Sequence, residues 1–163
     1  MLAENQANIE VRTASVSDAP ILARLRYELR TRKDRNVETE EQFIQRCTAW
    51  IEQRLGNDHA WKCWIAESTE MLVGSVWVQV VEKIPNPSSE PEHYVYLTNF
   101  YVREEFRSKG IGSMLLTAVL TWAVSENTQS IILWPTDRSR PFYERHGFSE
   151  SRNLMELVNA PQT

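Results

Sequence analysis

The sequence predicts an α+β fold in which a mixed sheet carries helices on its faces. Three observations support this. Three β-rich runs follow one another in the middle of the chain. Segments with helical apolar spacing lie on both sides of them. No repeat, low-complexity tract or linker divides the 163 residues. Strands in a row with interspersed helices imply a mixed sheet with helices packed on it. The length suits one domain, expected over residues 9–158, with short terminal tails at 1–8 and 159–163.

"IEVRTA" at the N-terminus alternates and reads as a short strand. "SVSDAP" follows, where Ser17 or Asp18 can cap a helix and Pro20 is tolerated in its first turn. Ile21, Leu22, Leu25 and Leu29 then fall on one helical face. The charged stretch "RTRKDRNVETE" has no apolar period and reads as a solvated connection. A second helix is expected over about 40–55, with Phe43, Ile44, Cys47, Trp50, Ile51 and Leu55 inward and Gly56-Asn57 as its stop.

"WKCWIAES" and "LVGSVWVQVV" make a hairpin across the turn "STEM", and "HYVYLTNFYV" is a third strand after the Pro-rich loop "IPNPSSEPE". A helix is expected over about 110–124, with Ile111, Leu115, Ala118, Val119 and Trp122 inward. "SIILWP" reads as a short strand buried on both faces. "SRPFYERHGF" reads as a short helix stopped by Gly147, and "SESRNLMELV" as a closing strand. Most of the six tryptophans are expected in the core.

The net charge of -4 argues against general nucleic-acid binding, whose footprint is basic, though a local basic patch can still hold a small anion. Cys47 and Cys63 are too few and too oddly spaced for a disulfide framework or a metal site, and read as reduced thiols. The polar first residues lack a signal-peptide core, and no apolar run reaches membrane-span length. A soluble, cytoplasmic protein with no membrane partner is expected.

The chemistry concentrates in "REEFRSKGIGSMLL", residues 103–116. A strand leads through a short charged loop into Gly-Ile-Gly and then a helix. A helix start leaves main-chain N–H groups unpartnered at the positive end of the helix dipole. Glycine lets an anion approach that backbone, and Arg107 and Lys109 add charge beside it, a combination that suits a pyrophosphate. The pattern is not the nucleotide P-loop, because no Lys-Ser/Thr pair follows the glycine. Nor is it G-x-G-x-x-G, because Leu115 stands where the third glycine belongs.

"YLTNFYVREEFRSKGIGSMLL" resembles the acetyl-CoA-binding signature of the GCN5-related N-acetyltransferase (GNAT) superfamily, [RQ]-x-x-G-x-[GA], matched here by Arg107 through Gly112. "RPFYERHGF" is similar to the second signature of that family, and the element order agrees over about residues 9–158. Glu104 and Ser108 depart from the proline and glycine that many members carry.

The resemblance implies a mostly antiparallel sheet and an acetyl-CoA-dependent N-acetyltransferase acting on a primary amine by direct attack in a ternary complex. It implies that the backbone of Phe100, Tyr101 and Val102 pairs with the pantetheine arm. The N–H groups of Arg107, Ser108, Lys109, Gly110, Ile111 and Gly112, with Ser113, would bind the pyrophosphate. Tyr143 matches the general acid. A free tyrosine titrates near about 10 and a thiol near about 8.5, so full proton transfer to the leaving thiolate is uphill by about 2 kcal/mol and assistance must come largely through a hydrogen bond.

Arg26, Tyr27, Glu28 and Asn99 stand where members often line the acceptor site. Substrate recognition is expected from "RLRYELRTRKDRN" and the Pro-rich loop, and Trp134 is placed beside the cofactor cleft. The strand offers Thr98 and Asn99, which cannot act as bases; Glu28 is the candidate carboxylate. His93 and His146 read as structural, and Cys63 as packing rather than as an acyl carrier. The competing reading is a non-catalytic acyl-CoA-binding sensor or partner module on the same fold. The acceptor, small-molecule or peptide, is not named by the sequence. The resemblance admits a homodimer, although no interface stripe is readable.

Overall fold

The computed structural model describes residues 8–31, 37–57, 59–69 and 71–159. The chain divides into two compact units, Met1–Leu133 and Trp134–Thr163. Most of both expected tails, residues 32–36 of the charged connection and Glu70 of the "STEM" turn lie outside the described residues.

The first unit runs β1 (Glu10–Thr13), a 3₁₀ turn (Val16–Asp18), α1 (Ala19–Arg30), α2 (Glu40–Asn57), β2 (Trp61–Glu67), β3 (Leu72–Glu82), β4 (His93–Val102), a second 3₁₀ turn (Glu104–Phe106), α3 (Ile111–Ser125) and β5 (Ile131–Ile132). Its sheet has the order β1-β2-β3-β4-β5. Every pair is antiparallel except β4 with β5, where Val95 stands opposite Ile131 and Tyr96 opposite Ile132.

Residues on β2 alternate between two buried faces. Cys63 and Ile65 join Leu22, Leu25 and Ile51 under α1 and α2. Trp64 faces the other way and meets Trp122 of α3, ring centroids 5.3 Å apart. Burial on both faces explains why β2 and β3 are nearly continuous apolar runs. Each large aliphatic side chain buried here contributes about 1.5–3 kcal/mol. At the sheet edge, Arg12 of β1 donates to Asp18 and to Glu67, tying β1, the start of α1 and β2 together.

Three expectations are corrected. First, the apolar stripe of α2 is not all core: Ile51 is its buried residue, while Trp50 is 38% exposed. Among the tryptophans, only Trp64 and Trp77 are buried, and Trp134 is exposed. Second, "SIILWP" forms just a two-residue strand, half-buried. It pairs only with the first part of β4, so it is a short ladder rather than a central strand. Third, "SESRNLMELV" forms no strand. Leu154, Met155, Leu157 and Val158 are exposed. Apolar residues alone do not make a strand; its peptide groups need a ladder partner.

In the second unit α4 spans Arg140–Arg145 with Pro141 in its first turn. It ends as the sequence predicts. Gly147 has φ 89°. Its N–H donates to the Glu144 carbonyl and the N–H of Phe148 to the Tyr143 carbonyl, a Schellman ending.

Candidate active site

Strand β4 is irregular where it matters. Trp77 pairs with Thr98, but Ser75, two residues back, pairs with Tyr101. The extra residue is a β-bulge, with Asn99 at φ 50°. Asparagine tolerates this left-handed conformation better than the β-branched and aromatic residues around it. The bulge re-aims side chains: Asn99 Oδ1 accepts a 2.8 Å hydrogen bond from Arg26 on α1. The ladder with β5 stops at Tyr96, whereas β4 runs on through Phe100, Tyr101 and Val102.

Beyond β4 the chain turns into α3. Arg107 folds back, donating from Nε to the Val102 carbonyl (2.9 Å) and from Nη1 to Glu104 (3.2 Å), with its guanidinium over the Tyr101 ring. Its charge is therefore partly committed to holding the loop. Lys109 is exposed, its ammonium 5.4 Å from the Phe106 ring centre.

Ser108 and Gly110 both have positive φ, 60° and 80°. Serine pays a strain of about 1 kcal/mol in that region, so the Ser108 departure is a real backbone constraint. Gly110 precedes α3 as its cap, and no side chain bonds to this helix start. A Cβ on Gly110 would meet open space. The main-chain N–H of Arg107, expected in the cradle, instead donates to the Glu104 carbonyl at 3.2 Å, so the run begins one residue later. Among the described residues, none accepts a hydrogen bond from the main-chain N–H of residues 108–113. These donors form a continuous run at the positive end of a helix with no acidic residue in its first turn.

A cavity of about 450 Å³ lies among α1, α2 and strands β2 to β4. Arg26, Thr98 and Asn99 line it, with Phe43, Trp50, Trp61, Trp77 and Tyr96 as its aromatic walls. The three tryptophans meet one another with ring centroids 5.2 to 6.4 Å apart. Of the four residues expected at the acceptor site, Arg26 and Asn99 are therefore brought together. Tyr27 instead packs on Phe43, and Glu28 does not line the cavity. Arg103 grips both carboxylate oxygens of Glu28, at 2.8 and 3.1 Å. The Pro-rich loop contributes nothing to this lining. The aromatic walls escape sequence reasoning, because an inward tryptophan on a helix or strand reads the same whether it meets a core or a cavity.

Cys63 is fully buried and burial pushes its thiol well up, which suits packing. His93 bonds Thr128 Oγ1 at 3.1 Å, and His146 the carbonyl of Phe142 at 2.8 Å. In the second unit Tyr143 is buried, flanked by the rings of Phe142 and Phe148. The Schellman ending brings Phe148 onto it. Burial pushes the phenol up to about 12.

Residues 23–148 match the acetyltransferase (GNAT) family, and the chain belongs to that family. Solved structures share the fold. A GCN5-related N-acetyltransferase from Ralstonia eutropha JMP134 is 22% identical with a TM-score of 0.73, covering 93% of this chain and 99% of its own. A predicted acetyltransferase from Clostridium acetobutylicum, solved with acetyl-CoA, is 22% identical with a TM-score of 0.72, covering 93% and 96%. Glucosamine-6-phosphate N-acetyltransferase from Arabidopsis thaliana is 19% identical with a TM-score of 0.68, covering 93% and 98%. No curated protein matches. Among the described residues no helix is long and apolar enough to cross a membrane.

Proposed function

We propose that this protein is an acetyl-CoA-dependent N-acetyltransferase that acetylates a primary amine by direct attack in a ternary complex, with one catalytic domain over residues 9–158. The observation that carries the reading is the run of main-chain donors at residues 108–113, left without acceptors at the start of α3. Donors at a helix start, with open space above Gly110 and Lys109 beside it, fit a diphosphate. In this reading the backbone of Phe100, Tyr101 and Val102 pairs with the pantetheine arm, and Ser113 completes the cradle.

Acetyl-CoA supplies the acetyl group as an activated thioester. The acceptor nitrogen bonds to the acetyl carbon as the carbon–sulfur bond breaks. The proton shed by the amine balances the one taken up by the departing sulfur. Tyr143 is assigned as the general acid. With its phenol at about 12, it is protonated throughout the neutral range. Complete transfer to a thiolate whose thiol sits near about 8.5 is uphill by about 5 kcal/mol. That exceeds the sequence-based expectation, and the contribution of Tyr143 is a hydrogen bond to the leaving sulfur. Glu28 is held by Arg103, which argues against it as base. The acceptor then enters as its neutral amine, and water takes the proton.

Calorimetric titration with acetyl-CoA, CoA and ATP tests the cradle: the first two bind and ATP does not compete. Thiol release over a panel of amines tests turnover. Acetyl-CoA binding with no thiol release from any amine would instead mark a non-catalytic acyl-CoA module.

A further inference from the structure

The cavity beside the bulge of β4 has an unusual charge balance. Its lining includes Arg26 and Arg46 and no aspartate or glutamate. Arg46 is satisfied at the surface by Glu38. Arg26 is not satisfied in that way. It is half-buried, and its Nη1 donates to the neutral amide oxygen of Asn99. Among the described residues no carboxylate lies within ion-pair reach of it. Burial and the neighbouring Arg30 both pull its guanidinium below its usual range. A half-buried guanidinium keeps several N–H donors in a fixed fork that matches carboxylate and phosphate oxygens. With Arg46 engaged by Glu38, a single guanidinium suits the single charge of a carboxylate better than a dianionic phosphate. Trp50, Trp61 and Trp77 supply an apolar wall large enough for a ring. The volume is that of a small-molecule site.

We propose that the acceptor is a small amine bearing a carboxylate on an aromatic body, with the carboxylate on Arg26 and the ring against Trp50, Trp61 and Trp77. This rests on the acetyltransferase reading above, because Thr98 and Asn99 of the cavity lead directly along β4 into the segment assigned to the pantetheine arm. The same charge balance disfavours polyamines and aminoglycosides, which would bring several positive charges beside two guanidiniums and find no carboxylate on the lining.

The test compares L-phenylalanine with phenethylamine, which differ by the carboxylate alone, and with spermidine. Thiol release should give L-phenylalanine a kcat/KM at least tenfold above phenethylamine and a hundredfold above spermidine. In Arg26→Gln the tenfold preference collapses to less than threefold, while Arg26→Lys keeps part of it; circular dichroism checks that both variants fold. A second measurement needs no turnover. Titration with 3-phenylpropionate, followed by tryptophan fluorescence, should give a dissociation constant at least tenfold weaker in Arg26→Gln.

Equal or better use of phenethylamine or spermidine overturns the proposal. So does 3-phenylpropionate binding that ignores the loss of Arg26. If acetyl-CoA fails to bind while 3-phenylpropionate still binds through Arg26, the acetyltransferase reading falls and the carboxylate site stands.

Discussion

Helices α2 and α3 begin in opposite ways. At α2, Thr39 and Gln42 form a reciprocal box: the Thr39 N–H donates to Gln42 Oε1 and the Gln42 N–H to Thr39 Oγ1. Glu40 and Glu41 add negative charge to the first turn. The orphan donors and the dipole of α2 are thus served from within the chain. At α3 no side chain caps, no acid stands in the first turn, and the four preceding residues comprise the cations Arg107 and Lys109 and the left-handed Ser108 and Gly110. Basic residues at the positive end of a helix are unfavourable unless an anion joins them. The start of α1 is served differently: it runs straight on from the 3₁₀ turn Val16–Asp18, the Ala19 N–H donates to the Val16 carbonyl, and the Asp18 carboxylate closes that turn by accepting from Ser15 and Arg12. Before α4, Thr136 and Ser139 bond each other's main-chain N–H groups in the turn that leads in, and the Arg140 N–H donates to the Thr136 carbonyl, so this start too is served from within the chain. A helix start completed from within the chain is architecture. One left incomplete is available for a ligand.

The largest expected effect strikes α3. Gly110→Asp places a carboxylate in the open space above the cradle while keeping a residue that tolerates φ 80°. Calorimetry should show acetyl-CoA binding weakened several-hundred-fold, about 3.5 kcal/mol. Unchanged affinity would end the contrast between the two helix starts.

Next is Tyr143→Phe. Because the start of α4 is self-satisfied, any chemistry from that helix must come from a side chain. Turnover should fall about 100-fold, with acetyl-CoA affinity altered less than threefold. The phenolate absorbance that distinguishes wild type from this variant should appear near pH 12, not at the ordinary tyrosine value near about 10.

The starts served from within the chain should answer in stability alone. The Arg12 guanidinium holds the Asp18 carboxyl down at about 2. A depressed carboxylate contributes fully above its unfolded value near about 4, and that contribution is lost as pH falls toward 2. Asp18→Asn should cost about 1–2 kcal/mol at neutral pH, discounted because Arg12 is partly exposed, and should flatten urea-melt stability between pH 4 and 2. Thr39→Ala should cost about 1 kcal/mol without changing acetyl-CoA affinity. The smallest effect is Ser108→Gly, which relieves the left-handed strain. It should raise the melting free energy by about 0.5 kcal/mol with binding intact.

Local chemistry was legible because it is local. Residues 103–116 announce a strand, a cationic loop and a glycine-started helix within one short window, and Pro141 and Gly147 bracket α4 in the same way. The order and type of nearly every element followed from apolar spacing, which records which face is buried. Tertiary structure decided what spacing cannot encode. The stripe on α2 turned toward a cavity as well as a core, because periodicity tells that a side chain points inward but not whether anything fills the space. Arg26 met Asn99 and Glu28 met Arg103 across more than 70 residues of chain, contacts that only the sheet register and the bulge at Asn99 create. The final apolar run stayed out of the sheet because strand formation depends on a partner's peptide groups, and no property of the run itself supplies those.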